Sequence, residues 1–303
     1  MTPSPQEKQH SLPHPSWLDT ARHLISLDQL RDSSRLVAHP SLWISTVAGL
    51  QVALSVLLIV TVVYFSPRSH LVGFAALGGL TALFGRFAPV QERRRIVIIC
   101  ALLMTMAVLV PSLFALVGAQ PWAMILLLAL SVGVLTLLVS HLRLGVPGAV
   151  IIVFATGAGL APVTESHVVV ERTLATLSGG LSACFVCLCT DWLRRRTLAQ
   201  VKFPAPVVYP LGKELVVAAR ITIGAGLAAF IAYGAGWSHP EWAAIGATAV
   251  MQGGHLHITM SRAVQRMVGT IAGAFLCGWI LSTEPSFWWW WRGLRCFSFR
   301  PKC

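Results

Sequence analysis

Of the 303 residues, 55% are hydrophobic and only 11% are Asp, Glu, Lys or Arg. Soluble domains carry about 25% charged residues, and eight of the charged side chains here fall in residues 1–41, so the rest cannot cover a water-facing surface. That excludes a soluble enzyme, a disordered tail and a fibrous protein. Apolar runs of about twenty residues exclude a β-barrel and leave an all-α, polytopic transmembrane bundle. The net charge of +12 does not point to nucleic acid, because the basic residues are spread over short loops between apolar runs.

In chain order, residues 17–30 place Trp17, Leu18, Ala21, Leu24, Ile25 and Leu30 on one stripe behind a Ser16/Asp19 capping box, which reads as a helix lying on the membrane surface. Nine spans follow, near 42–65, 71–87, 96–118, 121–142, 145–163, 173–193, 214–235, 242–254 and 267–282. With a cytoplasmic N-terminus, sixteen Lys and Arg fall on the inner side, among them Arg93 to Arg95 and Arg194 to Arg196. Only Arg68 and Arg172 fall outside, and a bias this steep sets the orientation. Cys100, Cys184, Cys187, Cys189 and Cys277 sit inside apolar runs and read as inert thiols.

The pattern repeats. Pro67 is followed by a short apolar run, a basic loop ending at Arg95 and a long span; Pro240 is followed by the same series ending at Arg266. This suggests two tandem copies of a six-helix module, the second incomplete. The expected organisation is a cytoplasmic segment at 1–41, a first module at 42–193, a linker at 194–213, a second module of three helices at 214–283 and a Trp/Arg-rich tail at 284–303. That tail changes character at Glu284, and its basic residues oppose the orientation rule. A frameshift or premature end near 284–291 is therefore expected, with an interfacial anchor as the alternative.

The stretch HPEWAAIGATAVMQGGHLHITMSRAVQRMVGTIAGAFLCGWIL resembles the fusaric acid resistance protein-like family of membrane transporters. The resemblance rests on His239, Pro240 and Trp242 and on the run from Gln265 to Gly273, while ERTLATLSGG resembles the start of a sixth module helix. It implies export of small, often aromatic, organic acids from the bacterial plasma membrane, with no enzyme activity and no cofactor. A passive anion channel and a non-transporting membrane protein are the alternatives. The partners expected are the lipid bilayer and a small organic anion, and self-association into a homo-oligomer is compatible with these spans.

Several side chains are candidates for that work. Arg220 is the one charge placed well inside a span, where it either reaches back to the interface or meets an anionic substrate. Gln51, Gln252, Trp242 and His239 are further substrate candidates. Asp191, Glu214 and Glu241 are the coupling candidates, and no acid lies mid-span. Asp191 is expected to pair with Arg194 or Arg195. Gly269, Gly273 and Cys277 form a small-residue stripe suited to helix packing. His255 and His257 lack a third ligand, so no metal site is expected.

Overall fold

The computed structural model describes residues 42–198, 210–252 and 256–282. The surface helix expected at 17–30 and the tail from Glu284 lie outside them. Nine α-helices and no strand occur among the described residues. They are α1 (Leu42–Tyr64), α2 (Val72–Gly79), α3 (Val90–Leu116), α4 (Pro121–His141), α5 (Val150–Gly159), α6 (Ser166–Leu198), α7 (Leu211–Gly234), α8 (Glu241–Met251) and α9 (Leu256–Ser282). Short 3-10 segments, Ser69–Leu71 and Leu80–Leu83, flank α2.

Five helices, α1, α3, α4, α6 and α7, are long and apolar enough to cross a membrane. Large apolar side chains such as Leu57, Leu102, Leu130, Phe185 and Ile231 stand exposed on them, as a lipid-facing surface requires. The chain is thus a membrane protein. Three apolar helices are short. At 1.5 Å per residue the ten residues of α5 reach about 15 Å, half of a hydrocarbon core about 30 Å thick.

Local sequence explains the breaks. Pro89 leads into α3 and Glu92 occupies its first turn; Pro121 opens α4. Between α4 and α5 the backbone turns through positive φ at Arg143 (52°), Gly145 (74°) and Gly148 (84°), so the fifth apolar run, expected at 145–163, yields helix only from Val150 to Gly159. Helix α3 starts six residues earlier than expected, α6 starts at Ser166 and runs on to Leu198, and α7 begins at Leu211.

Helices α1 to α8 form one compact unit, and α9 belongs to a second. Inside the first, α2 lies on α6, α5 on α3, α3 along α6, and α7 against both α4 and α8. The main core joins Met104 and Val108 of α3, Leu128 and Val132 of α4, Ile152 and Val153 of α5, Ile221 of α7 and Ile245 of α8. Small residues allow the tightest contact, between α2 and α6. A Cβ on Gly78 would lie 2.0 Å from the Thr176 carbonyl oxygen and 2.7 Å from the Gly180 nitrogen. Membrane helices gain most of their association energy from such close approach, because lipid offers no hydrophobic drive.

Candidate functional site

The first turn of α3 carries the feature that most departs from the sequence reading. Arg93 to Arg95, assigned there to a cytoplasmic loop, belong to α3, and Arg93 is 1% exposed. The reason is helical register: Arg93 shares a face with Ile96, Val97 and Cys100, all buried. Its stem passes over Gly85, whose φ of 63° brings the chain close; a Cβ there would lie 3.1 Å from Arg93 Cγ. Arg93 Nη2 donates to the Ala82 carbonyl at 3.0 Å, closing the end of the α2 segment where carbonyls lack intrahelical partners.

Two polar pairs tie α3 and α1 to α6. Arg94 Nε donates to Asp191 Oδ2 of α6 at 2.8 Å, with Asp191 3% exposed. The side chains of Arg194 and Arg195, the partners expected from sequence, lie outside the described residues; the pair seen is with Arg94. Gln51 of α1 donates to Thr190 Oγ1 at 2.6 Å. Arg93 Nε and Nη1, Gln51 Oε1 and Asp191 Oδ1 have no hydrogen-bond partner among the described residues. One dry cation, Arg93, and one dry anion, Asp191, with unfilled hydrogen-bonding capacity are costly even though Arg94 is half-exposed, and inside a membrane protein such groups mark function.

Gln51 thus bonds the residue beside Asp191 on α6, and the other candidates have different partners. Arg220 is exposed on α7 and its Nη2 donates to the Met251 carbonyl at 3.2 Å, at the end of α8. Gln252 follows that end. With its amide oriented by its neighbours, its oxygen accepts from the backbone nitrogens of Ala149 (3.0 Å) and Val150 (3.2 Å) and its nitrogen donates to the Pro147 carbonyl, so it caps the start of α5. At the other end of α8, Trp242 meets Phe154 of α5 edge-on with centroids 5.2 Å apart, and His239 Nδ1 lies 2.9 Å from Glu241 Oε1. Glu214 of α7 accepts from Ser140 at 2.8 Å and lies 3.6 Å from His141 Nδ1. Gly269, Gly273 and Cys277 follow one side of α9, and a Cβ on either glycine would meet nothing within 4 Å. His255 lies outside the described residues, and His257 falls in the first turn of α9.

Two cavities lie away from the Arg93 cluster. One, of ≈ 420 Å³, is lined by His70, Gly73, Phe74 and Leu80 with Val56 of α1 and Phe154 of α5. The other, of ≈ 540 Å³, is lined by Val63, Ser66, Arg68, His167 and Glu171. Arg68 Nε donates to Glu171 Oε1 at 2.9 Å, and His70 Nε2 lies 3.6 Å from Glu171 Oε2. Arg172 donates to the carbonyls of Ala161 (2.9 Å) and Pro162 (3.1 Å) and stands 5.3 Å from the Phe74 ring centroid. Outside the spans, burial lowers the pKa of Arg86, whose guanidinium is 4.8 Å from the Phe87 centroid.

Sequence reasoning missed Arg93 as a buried group and Arg172 as a helix-end clamp. The signal for Arg93 was the apolar period carried back from Cys100 through Ile96, which includes position 93. For Arg172 the only signal was its place before the small-residue run to Gly180.

These are the features of a helical membrane protein with interrupted spans around buried charge. Residues 227–298 match the family model of fusaric acid resistance protein-like proteins, which supports membership of that family. The match takes in the last third of α7, all of α8 and α9, and continues past the change of character at Glu284. No curated protein and no solved structure matches the chain.

Proposed function

We propose that this membrane protein is a secondary exporter of small organic anions, chiefly aromatic acids, in a bacterial plasma membrane with its N-terminus cytoplasmic. One observation carries the reading: α2, α5 and α8 are too short to cross the bilayer, and a neighbouring side chain holds an end of each, Arg93 for α2, Gln252 and Arg172 for α5, Arg220 for α8. Discontinuous helices packed among full spans are the usual setting of transporter substrate sites. The fusaric acid resistance-like match supports the substrate class. In this reading Arg93 supplies the cation that a substrate carboxylate needs, Gln51 and Thr190 supply hydrogen bonds, and Asp191 is the group through which protons are coupled. Trp242, His239 and Gln252 flank the path, Arg220 is a second cation on it, and Glu214 and Glu241 stand by as further coupling groups. The order long, short, long in α7–α9 repeats that of α1–α3 as a second, partial copy. No residue acts as a catalyst.

The test is flux in proteoliposomes of an aromatic carboxylate such as benzoate under an imposed proton gradient. Uphill accumulation is expected, reduced at least tenfold by Arg93→Gln. Flux that only follows the benzoate gradient points to the second reading, a passive anion channel, which the scarcity of buried acids favours, Asp191 being the sole one among the described residues. No flux at all sinks both.

A further inference from the structure

Arg93 and Arg172 stand in the same relation to their own segments. Each guanidinium donates to the carbonyl eleven residues upstream, Ala82 at 3.0 Å and Ala161 at 2.9 Å. Each acceptor lies just past a short α-helix, and each arginine lies in the first two turns of the long helix that follows. A shift of 79 residues carries the dipeptide Glu92–Arg93 onto Glu171–Arg172, the α2 segment onto α5 and the start of α3 onto the start of α6. The order long, short, long is shared by α1–α3 and α4–α6.

The packing is exchanged in the same sense: α2 lies on α6, α5 lies on α3, and α3 and α6 meet each other. Direction follows from the pairs along that contact. Arg94 meets Asp191, Val97 packs with Cys187, and Ala101 underlies Gly180, so α3 and α6 run antiparallel. The two arginine clamps therefore sit at opposite ends of the bundle. The first helix of each triplet departs from this, α1 lying on α6 and α4 on α7.

The two ends differ in closure. At the Arg93 end, α3 is bridged to α6 by Arg94–Asp191 and α1 to α6 by Gln51–Thr190. The shift of 79 residues matches Arg94 to Thr173 and Asp191 to Ser112. Thr173 donates to the Val169 carbonyl and Ser112 to the Gly159 carbonyl, so these positions form no ion pair between α3 and α6. At the Arg172 end the ion pair is Arg68–Glu171, which ties the α1–α2 connection, and not α3, to α6. There lie the cavities of ≈ 420 and ≈ 540 Å³, lined by His70 and by Arg68 and Glu171 respectively.

We propose that α1–α3 and α4–α6 are two copies of one three-helix unit in opposite orientations, with Arg94–Asp191 the closed gate at one end and the two cavities the open gate at the other. Two inverted units reach the opposite state by exchanging conformations, so opening the Arg93 end must close the Arg172 end. The gate rests on the transporter reading above; the inverted repeat does not.

Thiol labelling of the full-length protein in proteoliposomes tests both, with each site read by peptide mass. Ala82→Cys reports the closed end, since Ala82 is 0% exposed. Gly73→Cys reports the open end, since Gly73 lines the ≈ 420 Å³ cavity and a Cβ there meets nothing within 4 Å. The Gly73→Cys site is expected to label fast and the Ala82→Cys site slowly. Adding Arg94→Gln should raise labelling at position 82 about tenfold, the weight of one charged hydrogen bond, and lower it at position 73; Arg94→Lys should restore the original pattern. A rise at 82 with no fall at 73 is local fraying and overturns the gate, as does no change at either. An impermeant reagent tests the repeat without transport: Glu92→Cys and His167→Cys, both at exposed positions, should label from opposite faces. Labelling from one face overturns the inverted repeat and leaves the exporter reading standing, whereas loss of benzoate flux leaves the repeat untouched.

Discussion

Substituting Gly78 by Ala isolates the contact that joins α2 to α6. The added Cβ would lie 2.0 Å from the Thr176 carbonyl oxygen, 2.7 Å from the Gly180 nitrogen and 2.9 Å from Gly179 Cα. All three are backbone atoms, so no rotamer change relieves the clash. Carbon and oxygen settle near 3.2 Å or more, so α2 must retreat by about 1 Å, opening gaps along the whole helix face. Overpacking of this kind costs about 1–3 kcal/mol, and the lost dispersion along α2 adds to it. Gly73→Ala is the matched control on the same helix, because its Cβ meets nothing within 4 Å. There the only effect is the gain of about 0.5–1 kcal/mol from replacing a helical glycine. Both variants share that gain, so the expected difference between them is the overpacking cost, about 1–3 kcal/mol. Thermal unfolding of the purified proteins in detergent, followed by size-exclusion chromatography, measures it. Equal melting of Gly78→Ala and Gly73→Ala would refute the crossing and, with it, the placement of α2 on α6.

Three further substitutions probe other joints. Gln252→Ala should destabilise by about 1 kcal/mol, the usual worth of a helix N-cap, while Gln252→Glu keeps the acceptor at the start of α5 and adds a favourable charge there; thermal unfolding in detergent separates the two. Asp191→Ala should cost about 3 kcal/mol because it leaves the dry Arg93 cation without a counter-charge, whereas Arg94→Ala should cost about 1 kcal/mol, its side chain being 42% exposed. Chemical denaturation of both variants and of the double variant, which should be less than additive, checks this. At the α4–α7 contact a Cβ on Gly133 would meet Thr222 Oγ1 at 2.1 Å, a side-chain atom; Gly133→Ala should therefore cost about 1 kcal/mol, and adding Thr222→Ala should recover most of it.

Sequence alone determined the class of protein and much of its helical order. Apolar run length is a local quantity, and the bilayer converts it directly into spans. For the same reason the short helices at α2 and α8 were legible, as were the breaks at Pro67 and Pro240. Reading the fifth run as a full span failed because its shortness depends on positive-φ turns at Gly145 and Gly148 and on a cap contributed by Gln252 from over a hundred residues away. The candidate site was visible only in pieces. Gln51 stood out as a polar residue in an apolar run and Asp191 as an acid near a span end, but nothing local says that Gln51 reaches Thr190, the residue beside Asp191. The pairing of Asp191 with Arg94 and the burial of Arg93 depend on α3 packing antiparallel along α6, and the bond from Gln51 to Thr190 depends on α1 lying on α6. Register relative to a distant helix is a property of the packed bundle, set by where the glycines of α2 and α6 let two backbones touch. Tertiary structure alone therefore decided which charge is buried: Arg220, the one charge that sequence placed well inside a span, is exposed, and Arg93, which sequence left in a loop, is sealed.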